Sequence, residues 1–568
     1  MADCSYQMQS DEYADFIINM DTIEEHSQLL NDSCYYPVFQ NTVIAYSPVS
    51  SLPNNLFQRL GYNSIPHCYG LMDINSLTAG GLTKTWEEIN PNLRGKGTVI
   101  GILDTGIDYT HEAFRNPDGS TRILSIWDQT IESTSPPSGF YYGTEYLEEQ
   151  INSALLSPDP HLVVPSVDEL GHGTTMAGIA GGSRNADRRF SGVATEATFI
   201  IVKLRYARPF VRDFFKIPQD AICYSESDII IAIKYIYEFS RRLGLPLSLC
   251  IGLGTSQGGH DARSPLNQYL DLLSDQRKLG ICIAAGNEGS SRHHFMGNIL
   301  KNTTYETINL NVGNDVSGFS MELWGTKPSL FSIDILSPSG EYIPPLVPIQ
   351  EQSHEITFTF DHCKIYIDYE LVESYTGDQL ILLRFSGPPA GVWRFRIYRV
   401  GVLPATFHIW LPIRNFLGDE SYFLKADPLV TITSPGNATL PIVTTAYNPI
   451  GETLFADAGN GFTRTNMKNP SITSPGVNLI VPVVDDGSEN SYGYATGTSL
   501  AAAFTAGVVA LLLQYSSTFR FPSSYNTVEM KSILILGARR RTGLEYPNPE
   551  WGYGTLDVYN SLRILEEG

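Results

Sequence analysis

Three polar side chains stand where an apolar run meets a glycine-containing turn. Asp104 ends one such run, His172 lies between two glycines, and Ser499 follows a Gly-Thr pair. A serine hydroxyl is a weak nucleophile near neutral pH, so it needs an imidazole to accept its proton and a carboxylate to orient that imidazole. These residue types therefore predict a hydrolytic triad in the chain order Asp, His, Ser.

The segments around the three residues predict the elements that position them. The apolar run 98–103 predicts a buried strand that delivers Asp104 to its carboxyl end, where open α/β sheets keep their sites. The small residues of 174–182 predict a helix directly after His172. Segment 499–514 is apolar nearly all round, which predicts a buried helix whose N-terminal dipole favours negative charge near the serine oxygen.

With these motifs, and with Ala-Ala-Gly-Asn-Glu-Gly at 284–289, the chain resembles the subtilisin-like serine proteases. The resemblance implies that Asn287 donates a hydrogen bond to the oxyanion beside the Ser499 backbone amide. The family usually has a proline four residues after the nucleophile, whereas this chain has Ala503. A missing proline in the first helical turn mainly changes local geometry, so activity is still expected.

The same resemblance implies a cleft for an extended peptide, whose backbone would add as a strand. One main-chain wall of the S1 and S3 subsites would be Gly252, Leu253 and Gly254, and the other wall of S1 would be Ala284, Ala285 and Gly286.

Other polar features are interpreted as structural. The glycine-rich stretch 252–258 has neither dinucleotide nor phosphate-loop spacing, so no nucleotide cofactor is expected. His293 and His294 are predicted to lie on a surface loop rather than to bind metal, although a structural calcium is left open. Glu288 is predicted to be a solvated turn carboxylate, with the rim of S1 as the alternative, and Asp108 and His111 are predicted to be turn and packing residues.

Composition limits the partners and the compartment. The 568 residues are 42% hydrophobic and 17% charged, and the formal charge of -22 argues against nucleic acid and anionic membranes as partners. The first residues lack the basic and apolar parts of a signal peptide, and no apolar run is judged long enough to span a bilayer. Seven scattered cysteines are interpreted as reduced, buried thiols, so synthesis in a reducing compartment is expected.

The pattern along the chain changes three times. Residues 1–70 contain strand-like runs at 14–20 and 36–46, and residues 71–302 alternate strands with helices, which predicts a parallel sheet covered on both faces. Residues 303–422 hold six or more short strands, which predicts an inserted β-sandwich or jelly roll, and residues 423–568 complete the sheet. The pattern predicts an α/β fold with an all-β insert that braces the protease or recruits a partner. The resemblance to the subtilisin-like proteases implies that the α/β part is subtilisin-like and that residues 1–70 are an N-terminal α+β prodomain.

This combination is similar to the Csp germination proteases of clostridial spores. That resemblance implies self-cleavage near Asn63 to Asp73, a prodomain that stays bound in the cleft, and a protein substrate such as the precursor of a spore cortex hydrolase. It also implies a location in the bacterial cytoplasm or the spore (cortex or coat). Two alternatives stay open: a general peptide-degrading subtilase of an anaerobic commensal, and a binding or signalling protein whose cleft is permanently plugged by its prodomain. The presence of all three triad residues favours an active enzyme.

Overall fold

The computed structural model describes residues 4–22, 33–72, 93–133, 135–350, 352–484, 490–518 and 525–567. Within these ranges the helices are α1 Ser5–Gln9, α2 Leu56–Leu60, α3 Glu148–Leu155, α4 His172–Gly181, α5 Pro209–Phe215, α6 Glu226–Leu243, α7 Pro265–Ser274, α8 Arg414–Leu417, α9 Thr498–Thr518, α10 Thr527–Gly537 and α11 Val558–Glu567.

The described residues before 73, here called the N-terminal unit, form a small antiparallel sheet and a trailing strand. The strands are β1 Tyr13–Asn19, β2 Cys34–Phe39, β3 Thr42–Pro48 and β4 Cys68–Leu71, and the sheet order is β1-β3-β2. The prediction of one strand over 36–46 was wrong, because Gln40 takes a left-handed φ of 44° and turns the chain back on itself.

A disulfide joins Cys4 to Cys34 in this unit. The prediction that all seven cysteines are reduced was therefore wrong for this pair. The other five are free and buried, as expected. The pairing brings Cys4, directly before α1, beside the first residue of β2, and no spacing in the sequence signals this proximity.

Eight strands follow before the insert. They are β5 Val99–Asp104, β6 Ile123–Asp128, β7 Thr144–Leu147, β8 Thr198–Lys203, β9 Tyr224–Ser225, β10 Leu247–Ile251, β11 Leu253–Gly254 and β12 Leu279–Ala284.

The insert is a sandwich of two antiparallel sheets around a shared apolar core. One sheet has the order β13-β22-β15-β20-β19-β18 and the other β17-β16-β21-β14-β23. Its first strand begins at His294, ahead of the predicted boundary at 303. The strands are β13 His294–Ile299, β14 Tyr305–Val312, β15 Gly318–Gly325, β16 Leu330–Leu336, β17 Tyr342–Ile343, β18 Ser353–Phe358, β19 Cys363–Glu370, β20 Gln379–Ser386, β21 Gly391–Val400, β22 Ala405–Trp410 and β23 Tyr422–Phe423.

Five more strands complete the fold: β24 Ile442–Asn448, β25 Thr453–Leu454, β26 Ile472–Pro475, β27 Leu479–Val483 and β28 Ser491–Ala495. The central sheet then has the order β25-β24-β12-β10-β5-β8-β6-β7, with β26 also pairing with β24. Its inner pairs are parallel, and the β6–β7 and β24–β25 pairs at its ends are antiparallel. The predicted α/β class is confirmed.

Helices cover both faces of this sheet, because alternate side chains of each strand enter different cores. Ile100 and Ile102 of β5 pack in the core that contains α4 and α9, whereas Val99 and Leu103 pack in the core that contains α6 and α7. This two-sided burial explains why the strands are continuous apolar runs.

Helix α9 is the most apolar helix in the described chain. Over Thr498–Ser517 it has the length and hydropathy of a membrane span, so the expectation that no apolar run is long enough was wrong on length. Its most apolar window is 94% buried inside the protein, however, as in the core helix of a folded domain.

Candidate active site

Asp104 and His172 meet where β5 ends and α4 begins. His172 Nδ1 lies 2.7 Å from Asp104 Oδ1, and both side chains are almost fully buried. The turn after Asp104 needs Gly106, whose φ is +123°. A Cβ on Gly173 would lie 2.2 Å from the Gly106 carbonyl oxygen, so only glycine lets α4 approach this turn. The predicted carboxylate and imidazole are thus brought into hydrogen-bond contact.

Asp168, which the sequence did not single out, holds the start of α4. Its Oδ1 accepts a hydrogen bond from the Gly171 amide at 2.9 Å. Its Oδ2 accepts from the Thr174 amide at 2.9 Å and from the Thr174 hydroxyl at 2.7 Å. A buried carboxylate therefore satisfies the amides that a helix leaves unpaired at its N-terminus, and so fixes the position of His172.

Ser499 and Asn287 meet at the start of α9. Thr498 donates to Asn287 Oδ1 from its hydroxyl at 2.8 Å and from its amide at 3.2 Å. Because Oδ1 is occupied in this way, the Asn287 Nδ2 group remains as the donor. Nδ2 is buried and, like Ser499 Oγ, has no hydrogen-bond partner among the described residues. Helix α9 passes through Ala503 in the first turns without interruption.

The end of the N-terminal unit lies in the predicted cleft as an extended strand. Strand β4 pairs antiparallel with β11, with Leu71 opposite Leu253 and Gly70 opposite Gly254. Its Cys68 and Tyr69 pair with β9 on the other edge. Thus β4 is the middle strand of a three-stranded sheet, the arrangement expected when an extended peptide adds to main-chain walls.

This strand carries the Met72 carbonyl to Ser499. The Met72 amide donates to Gly252 O at 3.2 Å, and the Ser499 amide donates to Met72 O at 3.4 Å. The family resemblance predicts self-cleavage near Asn63 to Asp73. Among the described carbonyls of residues 63–72, that of Met72 accepts the hydrogen bond from the Ser499 amide.

The Met72 side chain is buried, and Thr433 lies beside it and beside one glycine of each predicted wall. A Cβ on Gly254 would lie 2.4 Å from Thr433 Oγ1, and a Cβ on Gly286 would lie 2.3 Å from the same atom. Thr433 Oγ1 is 3.8 Å from Met72 Sδ. Its amide donates to Ala285 O at 3.1 Å. Thr433 therefore lies between Gly254 of one predicted wall and Gly286 of the other, against the Met72 side chain. The substrate-binding roles of the six wall residues named from the sequence stay a prediction.

Glu288 and His293, which follow Asn287, are buried, contrary to prediction. Glu288 accepts a hydrogen bond from the Arg414 amide at 3.2 Å, and burial raises its pKa to about 7. His293 contacts Pro412 O and Ser421 O through its two ring nitrogens, at 2.7 and 2.9 Å. The expectation of a solvated turn at Glu288 was wrong because the sandwich packs over this segment.

The expectation of a surface loop at His293 and His294 was wrong for the same reason. His294 Nε2 lies 3.0 Å from His408 Nδ1 of the sandwich, and the two rings stack. Asp108 and His111 take the turn and packing roles predicted for them. Among the described residues, no three His, Cys, Asp or Glu side chains are grouped so as to bind a metal ion. The absence of a metal in the chemistry stays a prediction.

Comparison with known proteins decides the family. The sequence model of the subtilase family matches residues 95–308 and 417–554, which is more than half of the chain. The chain belongs to the subtilase family. The resemblance inferred from the four motifs is confirmed. The family match is interrupted over 309–416, where most of the sandwich lies.

Solved structures agree with this assignment. The CspB protease of Clostridium perfringens is 28% identical, with a TM-score of 0.74 over 85% of this chain and 97% of that one. Fervidolysin from Fervidobacterium pennivorans, described as a keratinolytic enzyme related to subtilisin, is 11% identical with a TM-score of 0.50, and shows the fold alone. The similarity to the Csp proteases is thereby confirmed.

Curated relatives are larger proteins. The PII-type proteinase of Lacticaseibacillus paracasei is 25% identical over 84% of this subtilase and 26% of its own length. The C5a peptidase of Streptococcus pyogenes is 23% identical over 75% of this chain and 35% of its own length. The subtilase described here thus spans about a quarter of the length of the first of these relatives.

Proposed function

We propose that this subtilase is a serine endopeptidase whose first substrate is its own Met72–Asp73 bond. The observation that carries the proposal is the hydrogen bond from the Ser499 amide to Met72 O, made while the chain before Met72 lies as a strand in the cleft. In this reading Met72, Leu71 and Gly70 occupy the first, second and third substrate positions before the scissile bond, P1 to P3.

The proposed chemistry assigns one role to each of these groups. Ser499 Oγ attacks the Met72 carbonyl carbon while His172 Nε2 takes the hydroxyl proton. Asp104 keeps the proton on Nδ1 and stabilises the imidazolium. The Ser499 amide and Asn287 Nδ2 donate to the oxyanion. His172 then protonates the departing amine of Asp73, and a water molecule, deprotonated by the same imidazole, releases the acyl group.

The N-terminal unit is proposed to be a prodomain that inhibits the enzyme after cleavage. Support comes from the buried contacts that join it to the rest of the chain. Arg208 donates to three of its carbonyls, and Tyr62 donates to Glu322 of the sandwich at 2.6 Å. Such a unit would occupy the cleft until another event removes it.

Beyond self-cleavage, we propose that the enzyme cleaves a protein precursor, such as the precursor of a spore cortex hydrolase that Csp proteases cleave. The 28% identity to the CspB protease over nearly its whole length supports this reading, as does the shared architecture. A spore or bacterial cytoplasmic location is part of the same proposal. The general peptide-degrading subtilase is the second candidate, favoured by the similarity to the PII-type proteinase.

Mass spectrometry of the purified full chain beside a Ser499→Ala variant tests the proposal. The wild type is expected to give two fragments, produced by a cut after residue 72, and the variant is expected to remain one intact chain. Cleavage of both proteins at this bond would assign the processing to another protease. An intact wild type that also fails to react with a fluorophosphonate probe would favour the permanently plugged binding protein instead.

A further inference from the structure

Helix α8 of the sandwich lies against the strand that ends at Met72. A Cβ built on Gly70 would lie 2.6 Å from Ile413 Cδ1 and 3.3 Å from Phe416 Cε1. The Asn415 side-chain amide, between these two residues, donates to Leu71 O at 2.9 Å. The sandwich therefore contacts the second and third substrate positions directly.

The backbone of Gly70 does not itself require glycine. Its φ lies outside the left-handed region, and it pairs with Gly254 as an ordinary strand residue. A side chain at this position is excluded by Ile413 and Phe416, not by strain in the chain.

Those two side chains are held firmly. Ile413 is fully buried and Phe416 is 4% exposed, and both belong to the apolar core that also contains Trp324 and Trp410. The start of α8 is fixed as well, since the Arg414 amide donates to both Glu288 oxygens at 3.2 Å. Moving Ile413 away from a substrate side chain would therefore disturb a packed core, which is costly.

We infer that the inserted sandwich makes this subtilase select glycine as the third residue before the scissile bond. Ile413 and Phe416 exclude larger P3 side chains, and Asn415 binds the P2 carbonyl. These residues lie within 309–416, the stretch that the subtilase family model does not match, so the selectivity is an addition to the shared catalytic core. The inference rests on the proposed self-cleavage after Met72, and it extends to any protein substrate that enters the same cleft.

Self-cleavage of the full chain provides the test, with Gly70→Ala and Gly70→Val as graded variants. The rate of appearance of the two fragments, followed by mass spectrometry after synthesis, should fall in the order Gly, Ala, Val. Valine is expected to slow cleavage by about tenfold or more, the effect of one or two kcal/mol of overpacking on a rate.

A second substitution distinguishes steric exclusion of the P3 side chain by Ile413 from a general loss of folding or activity. Adding Ile413→Ala to Gly70→Val should restore most of the lost rate, because the space for the new side chain is recovered. Adding Ile409→Ala, the same truncation at a buried position in the sandwich core, should not restore it.

The outcomes distinguish the two proposals. If the wild type cleaves after Met72 and the Ser499→Ala variant does not, but Gly70→Val cleaves at the wild-type rate, the P3 inference is overturned and the proposed function stands. Failure of Ile413→Ala to restore cleavage of the Gly70→Val chain, or equal restoration by Ile409→Ala, also overturns it. An uncleaved wild type overturns the proposed function and this inference with it.

Discussion

Asn287 owes its orientation to Thr498, the residue directly before the nucleophile. Both the hydroxyl and the amide of Thr498 donate to Asn287 Oδ1, and the Thr498 hydroxyl also accepts a hydrogen bond from the Gly286 amide at 3.1 Å. The donor that would stabilise the oxyanion is therefore preorganised by the same turn that presents Ser499. Preorganised donors of this kind need no rearrangement as negative charge develops.

Replacing Asn287 by alanine should slow self-cleavage by about a hundred- to a thousandfold, because one of the two oxyanion donors is lost. Binding of the substrate strand should persist, since β4 is held by β9 and β11. The rate of fragment formation measures the loss, and circular dichroism checks that the variant is folded. A variant that cleaves within a factor of about three of the wild type would remove Asn287 from the oxyanion site.

Glu226 is a buried carboxylate at the start of α6, and its surroundings decide whether it is protonated. Its oxygens accept hydrogen bonds from the His67 amide at 3.2 Å and the Leu266 amide at 3.0 Å. Burial raises its pKa from 4.5 to about 7, and burial lowers the pKa of the His67 ring to about 3. Near pH 6 both side chains are thus expected to be uncharged at the contact between the N-terminal unit and α6.

Because the pKa of Glu226 is higher in the folded protein, its contribution to stability is complete below about pH 4.5 and is lost as the pH rises through about 7. In an uncleavable Ser499→Ala background, Glu226→Gln should therefore gain stability relative to Glu226 between pH 5 and pH 8. Urea unfolding at the two pH values measures the difference. An identical pH dependence in both proteins would show that Glu226 titrates normally.

At the scale of elements, the site depends on how closely α4 approaches the turn after β5. The Gly173 amide donates to Thr105 Oγ1 at 2.9 Å, so the first turn of the helix is bonded to the residue after Asp104. The backbone of Gly173 lies against the Gly106 carbonyl oxygen, and there is no room for a methyl group on Gly173. This contact fixes how closely the start of α4, which carries His172, approaches the turn after Asp104.

Gly173→Ala should push α4 away from the turn and reduce self-cleavage by about a hundredfold or more, since misplacement of catalytic groups by about 1 Å has effects of that size. The loss should exceed that of Gly181→Ala. At Gly181 the added Cβ would lie 2.8 Å from Ile100 Cδ1 and 3.1 Å from the Ala194 carbonyl oxygen, a smaller overlap than the 2.2 Å approach to the Gly106 carbonyl oxygen at Gly173. Fragment formation in both variants provides the comparison, and equal rates would contradict the argument.

Local sequence patterns were sufficient for the elements that carry the triad but not for the residues that orient it. Strand β5 and helices α4 and α9 lie within a few residues of their predicted bounds, because apolar runs and glycine turns are local signals. Thr498 and Thr433 act through partners that are near only in the folded chain. The burial of Glu288 and His293 was missed for the same reason, since sandwich residues more than a hundred positions later cover them. Asp168 differs, because it bonds to Gly171 and Thr174, three and six residues later, and was missed although its partners are local.

At the scale of the whole molecule, three units meet around the end of the N-terminal unit. Glu322 of the sandwich accepts hydrogen bonds from the Tyr62 hydroxyl at 2.6 Å and from the Gly258 amide of the catalytic part at 2.9 Å. Asn63 donates to Glu373, also in the sandwich, at 2.8 Å. The insert therefore holds the N-terminal unit as well as the catalytic part, which gives physical content to the predicted bracing role.

The far end of the N-terminal unit is held by Arg208. This guanidinium donates to Met8 O and Ser10 O, both at 2.6 Å, and its Nε lies 3.5 Å from Asp15 Oδ1. Both side chains of the pair are at most 3% exposed. Since removing one member of a buried pair leaves the other charge and its hydrogen-bond partners unsatisfied, such changes cost about 3–5 kcal/mol.

Arg208→Met should therefore release the N-terminal unit once the bond after Met72 is cut. Gel filtration of the processed protein at decreasing concentration measures this: the wild-type fragments should elute together, and those of the variant should separate at concentrations at least about a hundredfold higher. Arg277→Met is the matched control, because its pair with Glu529 is 52% and 40% exposed and contributes little. If the fragments of the Arg208 variant stay together down to the same concentration as those of the control, the cleft and sandwich contacts alone retain the unit. Dissociation of the unit would then have to begin at β4 rather than at Arg208.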